Sequence, residues 1–204
     1  MQTPFFVGFS KTQNSNQLNK TQQHSSRSTF SSILTMSINT KLLEEELLEF
    51  CGSDSLSLDG LRGIFERHGI ATNNNDITTY KFFHRACRNE GVTEGILRLL
   101  LEYFPNAARY TDEDYEGCLP LHLILGLNKN VTLGMVQLLI DAFPDSLRHK
   151  NKDGTNALHA LCVNYNMDDE LGLEILKLFL ERYHIQNRSV IPLEMTYFQF
   201  TLPH

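Results

Sequence analysis

A chain of 204 residues that is 41% hydrophobic and 21% charged has a globular composition, with enough apolar side chains for one elongated or two compact domains. It contains no run approaching the roughly 18 apolar residues of a membrane-spanning helix, and a net charge of −6 argues against a surface built throughout for nucleic acid. Its four cysteines, Cys51, Cys87, Cys118 and Cys162, form no CxxC pair and follow no secretory signal, which reads as free thiols in a reducing intracellular compartment, cytoplasmic or nuclear.

Residues 1–43 hold Lys11, Lys20, Arg27 and Lys41 and no acid, a charge of +4, whereas the remainder sets 14 Lys and Arg against 24 Asp and Glu. The stretch KTQNSNQLNKTQQHSSRST has too little apolar area to offset the entropy of ordering it, so residues 1–39 are expected to form a disordered tail. Two other readings stay open. Residues 1–35 lack acids as an organelle-targeting peptide does, although their arginine is sparse and no amphipathic basic helix is written there. Met36, just ahead of the first helical pattern, is a candidate start site.

Residues 40–78 are expected to form a helical N-terminal cap. Thr40 is placed to cap LLEEELLEF, with Leu43, Leu47 and Phe50 on one stripe and Gly52 as the stop. LDGLRGIFERHG then puts Leu61, Ile64, Phe65 and His68 on one face ahead of Gly69, and TNNND at 72–76 reads as a loop.

From Thr79 to Tyr183 the chain repeats itself. Three first helices, YKFFHRAC (80–87), CLPLHLIL (118–125) and TNALHALC (155–162), carry His84, His122 and His159 at intervals of 38 and 37 residues. Each leads to a second helix: EGILRLLLEYF (94–104), LGMVQLLIDAF (133–143) and LGLEILKLFLERY (171–183). Ile96, Leu97, Leu100, Leu101 and Phe104 match Val136, Leu139, Ile140 and Phe143, an apolar arc wide enough to need neighbours on two sides. FPNAAR at 104–109 recurs as FPDSLR at 143–148, with proline ending the second helix. A polar loop closing on Gly117 or Gly154, five residues ahead of the next histidine, suits a tight turn. Such a pair cannot bury its apolar faces alone, whereas stacked copies share a continuous core.

The segments GCLPLH and DGTNALH, followed by LLLEYF, LLIDAF and LKLFLERY, resemble ankyrin repeats over 79–183, about half the chain. The resemblance implies helix pairs with hairpin-like loops, stacked into a curved solenoid that binds other proteins through loop tips and first helices. The chain departs from that family at Lys81, Leu119 and Asn156, where threonine is usual, in its spacing of 37–39 against the usual length of about 33 residues, and in the proline after the second helix. At the end, VIPLEM (190–195) echoes CLPLHL with Glu194 in the histidine's place, so 190–204 reads either as a partial repeat serving as a cap or as an extended tail offering Tyr197, Phe198 and Phe200 to a partner.

The same residues bear on chemistry. His84 with Cys87 and His159 with Cys162 share helical faces, but a zinc site needs four converging ligands and Leu125 breaks the middle unit. The histidines are expected instead to join their own turn to the neighbouring loop through both ring nitrogens, with cysteine in a small buried slot. DEDYEG at 112–117 spaces its acids like a calcium loop, yet the twelfth position is Leu123, not a carboxylate. The partner-binding candidates are the acidic tip Asp112, Glu113, Asp114, Tyr115 and Glu116, suited to a basic partner, and the basic neighbour His149, Lys150 and Lys152. No GxSxG, phosphate-binding glycine loop or HExxH occurs. Arg85, Arg88, Arg98 and Arg109 cluster in the first unit, with Glu90, Glu94 and Glu102 expected to pair with them at the surface.

The resulting expectation is an all-α, ankyrin-like helical-repeat solenoid over 79–189 behind the cap, acting as a non-catalytic protein–protein interaction scaffold. No cofactor, metal or nucleic acid is expected, and the partner is another protein. The alternatives are a structural or regulatory fragment of a longer array that self-associates, and an enzyme using a Cys/His pair.

Overall fold

A computed structural model describes residues 39–72, 77 and 79–188, the last five as backbone only. The tail, the Met36 start, most of the TNNND loop and the segment 190–204 therefore lie outside the described residues.

The apolar periodicity is realised as eight α-helices among the described residues, with no strand: α1 (39–51), α2 (Leu58–His68), α3 (Lys81–Arg88), α4 (Glu94–Tyr103), α5 (Pro120–Leu127), α6 (Leu133–Ala142), α7 (Ala157–Val163) and α8 (Asp169–Arg188). Their ends follow local chemistry. Ser57, Thr93 and Thr132 hold extended backbone and accept the amide N–H three residues on, each at 3.3 Å, which satisfies one orphan donor of α2, α4 and α6. Gly69 closes α2 at φ 60°, the left-handed conformation that glycine adopts without cost. Thr40 does not cap α1, because the helix has already begun at residue 39. Pro105 and Pro144 end α4 and α6, and each then opens a 3-10 turn, Pro105–Arg109 and Pro144–Leu147, where its fixed φ and missing N–H are tolerated.

From Leu42 onward the chain packs as one compact unit. In it α3, α5 and α7 lie side by side in one row, and α2, α4, α6 and α8 in another. The wide apolar arcs thus find a neighbour on each side: Leu97, Leu100, Val136 and Leu139 are buried, and on α5 every residue from Pro120 to Leu125 is buried. At roughly 25 cal/mol per Å² of apolar surface, each such leucine contributes about 2 kcal/mol relative to exposure. An aromatic cluster joins the N-terminal helices to the pair behind them. Phe65 of α2 packs edge-on to Phe104 with ring centroids 5.8 Å apart, and Phe104 meets Phe82 of α3 at 5.1 Å. Arginines make a recurring link, Arg109 lying 5.5 Å over Phe143 and Arg148 4.9 Å over Tyr183, each one pair ahead in sequence.

A ladder of asparagines ties the ends of the first helices together. Asn128, fully buried, donates its amide to the carbonyls of Cys87 (3.0 Å) and Asn89 (2.9 Å), while its Oδ1 accepts the Asn130 N–H. Asn164 repeats this on Leu125 (2.7 Å) and Asn128 (3.1 Å), and Asn89 does so on Cys51 (3.1 Å) and Ser53 (2.7 Å). Each rung satisfies two helix-end carbonyls that would otherwise be orphaned. Because the ladder reaches Cys51 and Ser53, α1 and α2 join the stack on the same terms as the three later pairs.

Candidate functional site

The loop between the second and third helix pairs is built as a miniature hairpin. Asp112 and Cys118 face each other in an isolated antiparallel bridge, the Gly117 N–H donates to the Asp112 carbonyl at 2.9 Å, and Glu116 and Gly117 turn the chain at φ 54° and 71°. Gly154 takes φ 77° in the next loop, where its N–H donates to Asn151. The two loops are fastened together. The Lys152 N–H donates to the Glu116 carbonyl at 2.9 Å, and His149 Nε2 lies 3.1 Å from the Gly117 carbonyl.

The histidines are not equivalent. His84 is buried and its Nε2 donates to the Cys118 carbonyl at 3.0 Å; a neutral ring has one N–H, so Nδ1, 3.4 Å from the Tyr80 carbonyl, carries none. Burial holds its pKa below the usual histidine value, against the pull of the carbonyls of Cys118 and Tyr80 and the charge of Asp112. His122 accepts the Leu119 N–H on Nδ1 at 3.2 Å, which puts its proton on Nε2, a buried atom beside the backbone of His149 and Thr155 in the next loop. Burial, with His149 at a ring distance of 5.7 Å, drives its pKa down to about 4. His159 is exposed and bonds only locally, to Asn156. The expected link from the histidine to the following loop is thus closest at His84, looser at His122 and missing at His159 in the described residues.

The acidic tip is largely engaged within the chain. Asp112 is 1% exposed and accepts the Asp114 N–H on Oδ1 at 3.0 Å, Asp114 pairs with Lys81, and Glu113 pairs with Lys152. These bonds raise the pKa of both lysines. The pairs are exposed and each adds little stability, but together they brace the loop from both sides. Glu116 and Lys150 are exposed. Tyr115 turns away from the tip: its ring lies parallel to that of His84, within 2°, and its hydroxyl accepts a bond from Arg88 Nη1 at 2.7 Å while the guanidinium sits 5.0 Å from its centroid.

That pairing lines a groove of about 510 Å³ between the end of α1 and the end of α3, bounded by Gly52, Asp54, Arg85, Arg88, Glu90 and Tyr115. Glu90 does not pair with the arginines as its sequence position suggests, because Lys129 takes it at 2.7 Å; Arg98 does pair with Glu94, at 2.6 Å. No carboxylate among the described residues lies within ion-pair distance of Arg85 or Arg88. The groove therefore offers two guanidinium groups, one of them held against a tyrosine, to an incoming acidic group.

The thiols are poorly placed for nucleophilic chemistry. Cys51 and Cys87 are buried; burial pushes the Cys51 thiol up to about 12 and the Cys87 thiol higher still, and Cys118 is raised too. Cys162 is exposed, not buried as its match to Cys87 suggests, because no helix of the described residues lies beyond α7. Among the described residues no group of three or more His, Cys, Asp or Glu side chains converges as metal ligands would, and no helix is long and apolar enough to cross a membrane.

Sequence alone missed the asparagine ladder and the Arg88–Tyr115 pair. Asn89, Asn128 and Asn164 follow their histidines by five, six and five residues, a signal available in the chain, whereas nothing in the spacing points Tyr115 toward α3. Comparison with protein-family models, with curated proteins and with solved structures gave no match.

Proposed function

We propose that this chain is a non-catalytic protein-interaction module of the ankyrin-like kind, whose stacked helix pairs hold the groove at Arg85, Arg88 and Tyr115 open for an acidic segment of a partner protein. The observation that carries this reading is the pre-arranged Arg88 guanidinium, fixed by one hydrogen bond and one ring contact and without a carboxylate of its own. A side chain already ordered loses little entropy on binding, which favours recognition. The repeat reading is supported by the two rows of helices, the recurring turns at Gly117 and Gly154 and the asparagine ladder. The groove is a better site than the acidic tip, since Asp112, Glu113 and Asp114 already have partners within the fold.

The test is proximity labelling in the source cell with the intact chain, an Arg85→Glu/Arg88→Glu chain and a Glu116→Ala/Lys150→Ala chain. Neighbours that disappear only with the arginine variant support the groove. Neighbours that survive it place the contact on another face, and a chain with no specific neighbour at all overturns the interaction reading.

A further inference from the structure

The asparagine ladder ties the pairs together and also sets which residue of one pair stands beside which residue of the next. Asn89 bonds the carbonyls on either side of Gly52, Asn128 bonds those on either side of Arg88, and Asn164 bonds those of Leu125 and Asn128, which bracket Leu127. The residues just ahead of the three asparagines, Arg88, Leu127 and Val163, therefore stand in file behind Gly52, and all three are exposed. At the head of the file a missing side chain opens the groove: a Cβ on Gly52 would come within 3.1 Å of Arg85 Nη1 and 3.2 Å of Arg85 Cδ. Further along, the file is apolar. Leu127 is 53% exposed although α5 has a helix on each side, and among the described residues between 43 and 157 no other large apolar side chain is so exposed. Val163 is 63% exposed at the matching place, so exposure belongs to the position and not to the open end of the stack. Glu90 and Lys129, each one residue past its asparagine, neutralise one another, which leaves Arg85 and Arg88 as the free charge at the head of the file.

We propose, building on the groove as the site for an acidic segment, that the partner segment runs on from the groove along this file as a polyproline-II helix. Its acidic side chain meets Arg85 and Arg88, and apolar side chains three and six residues further on meet Leu127 and Val163. The spacing selects this conformation. Packed helices lie about 8–10 Å apart, so the side chains of the file recur at about that interval. An extended β-strand returns a side chain to the same face every two residues, roughly 6.6 Å, and is out of step by the second seat. An α-helix presents one on each turn of about 5.4 Å, two for every seat. A polyproline-II segment returns one every three residues at about 3.1 Å each, roughly 9.3 Å, and keeps step with the stack. Such a segment is ordered before it binds and so loses little entropy on docking. Tyr165, 93% exposed and one residue past Asn164, offers a proline ring an aromatic face at the far end.

The test titrates fluorescein-labelled peptides against the full chain and reads anisotropy. One peptide has glutamate first, leucine at its fourth and seventh positions and proline elsewhere; a second is its reverse, since the file has no preferred chain direction. A third has the same composition with the leucines moved to the third and fifth positions, the spacing of a strand. One of the first two is expected to bind at least tenfold more tightly than the third. Leu127→Asp/Val163→Asp is expected to weaken that binding at least tenfold, and so is Arg85→Glu/Arg88→Glu, while Leu158→Asp, outside the file, leaves it unchanged. All five positions are exposed, and an unchanged melting temperature shows that each variant is folded. Equal affinity for the third peptide, or binding lost with the arginine variant but kept with Leu127→Asp/Val163→Asp, overturns the proposal and leaves the groove standing. Binding that ignores the arginine variant as well removes both. No binding by any of the peptides overturns the proposal too, and proximity labelling then decides the groove alone. A dimer in sedimentation that Leu127→Asp/Val163→Asp dissolves gives the file to a second copy and likewise overturns it.

Discussion

Compared position by position, the middle pair and the C-terminal pair share the Leu-His step that opens the first helix, Leu121–His122 and Leu158–His159, under different conditions. Among the described residues α5 has a helix on each side and buries everything from Pro120 to Leu125, whereas α7 has one on a single side and leaves Leu158, His159 and Cys162 exposed. The difference teaches that a residue type at a matched position has no fixed role: histidine is a buried donor in one pair, buried and more loosely held in the next and a surface group in the third. Its role depends on the neighbouring pair packed beyond it.

Substitutions at matched positions break this comparison most sharply. Leu97→Ala, at a site with no exposure, is expected to lower stability by about 3 kcal/mol in chemical denaturation. Leu176→Ala, half-buried on α8, is expected to cost about 1 kcal/mol. Asn128→Ala removes both amide bonds of the central rung and leaves the buried Cys87 carbonyl and the part-buried Asn89 carbonyl without this donor, a loss of about 2 kcal/mol. Asn164→Ala should cost less, because the rung lies nearer to water.

Acid titration tests the two buried histidines. An unfolded histidine takes up a proton below about pH 6.5, but His122 in the fold does so only near 4. The unfolded state therefore binds more protons across that window, and stability present above pH 6.5 falls as the pH drops toward 4, by about 2–3 kcal/mol from His122. His84 adds to the loss in the same direction. His122→Gln is expected to flatten the profile of melting temperature against pH. The smallest expected effect is a gain. Ser146 is buried with an unpartnered hydroxyl where the preceding pair has the fully buried Ala107, so Ser146→Ala should stabilise the chain by about 1 kcal/mol.

Much of the helical organisation was legible because it rests on signals a few residues apart. Apolar spacing placed the helices, and glycines at 117 and 154 marked the turns. The 3-10 turns after Pro105 and Pro144 were not legible, since proline ends an α-helix without specifying the conformation after it. The ladder escaped because its register against the histidine slips by one residue at Asn128, and because the carbonyls it serves belong to another pair. The groove was legible in its arginines but not in its arrangement. Glu90 looked like a partner for Arg88 by sequence distance and is instead bound to Lys129 across the gap between pairs.

The asparagine ladder also gives the stack a direction. Every rung sends its amide back toward the preceding pair and none sends it forward, so the two ends of the molecule are unequal in the bonds they lose by opening. Peeling away the last pair bares only carbonyls, which water hydrates readily, and leaves the earlier rungs whole. Removing the first pair strands the Asn89 amide and loosens the α3 end from which Arg85 and Arg88 project. Unfolding should therefore run as a zip from the C-terminus, and the groove at the opposite end would be the last part of the stack to lose its shape.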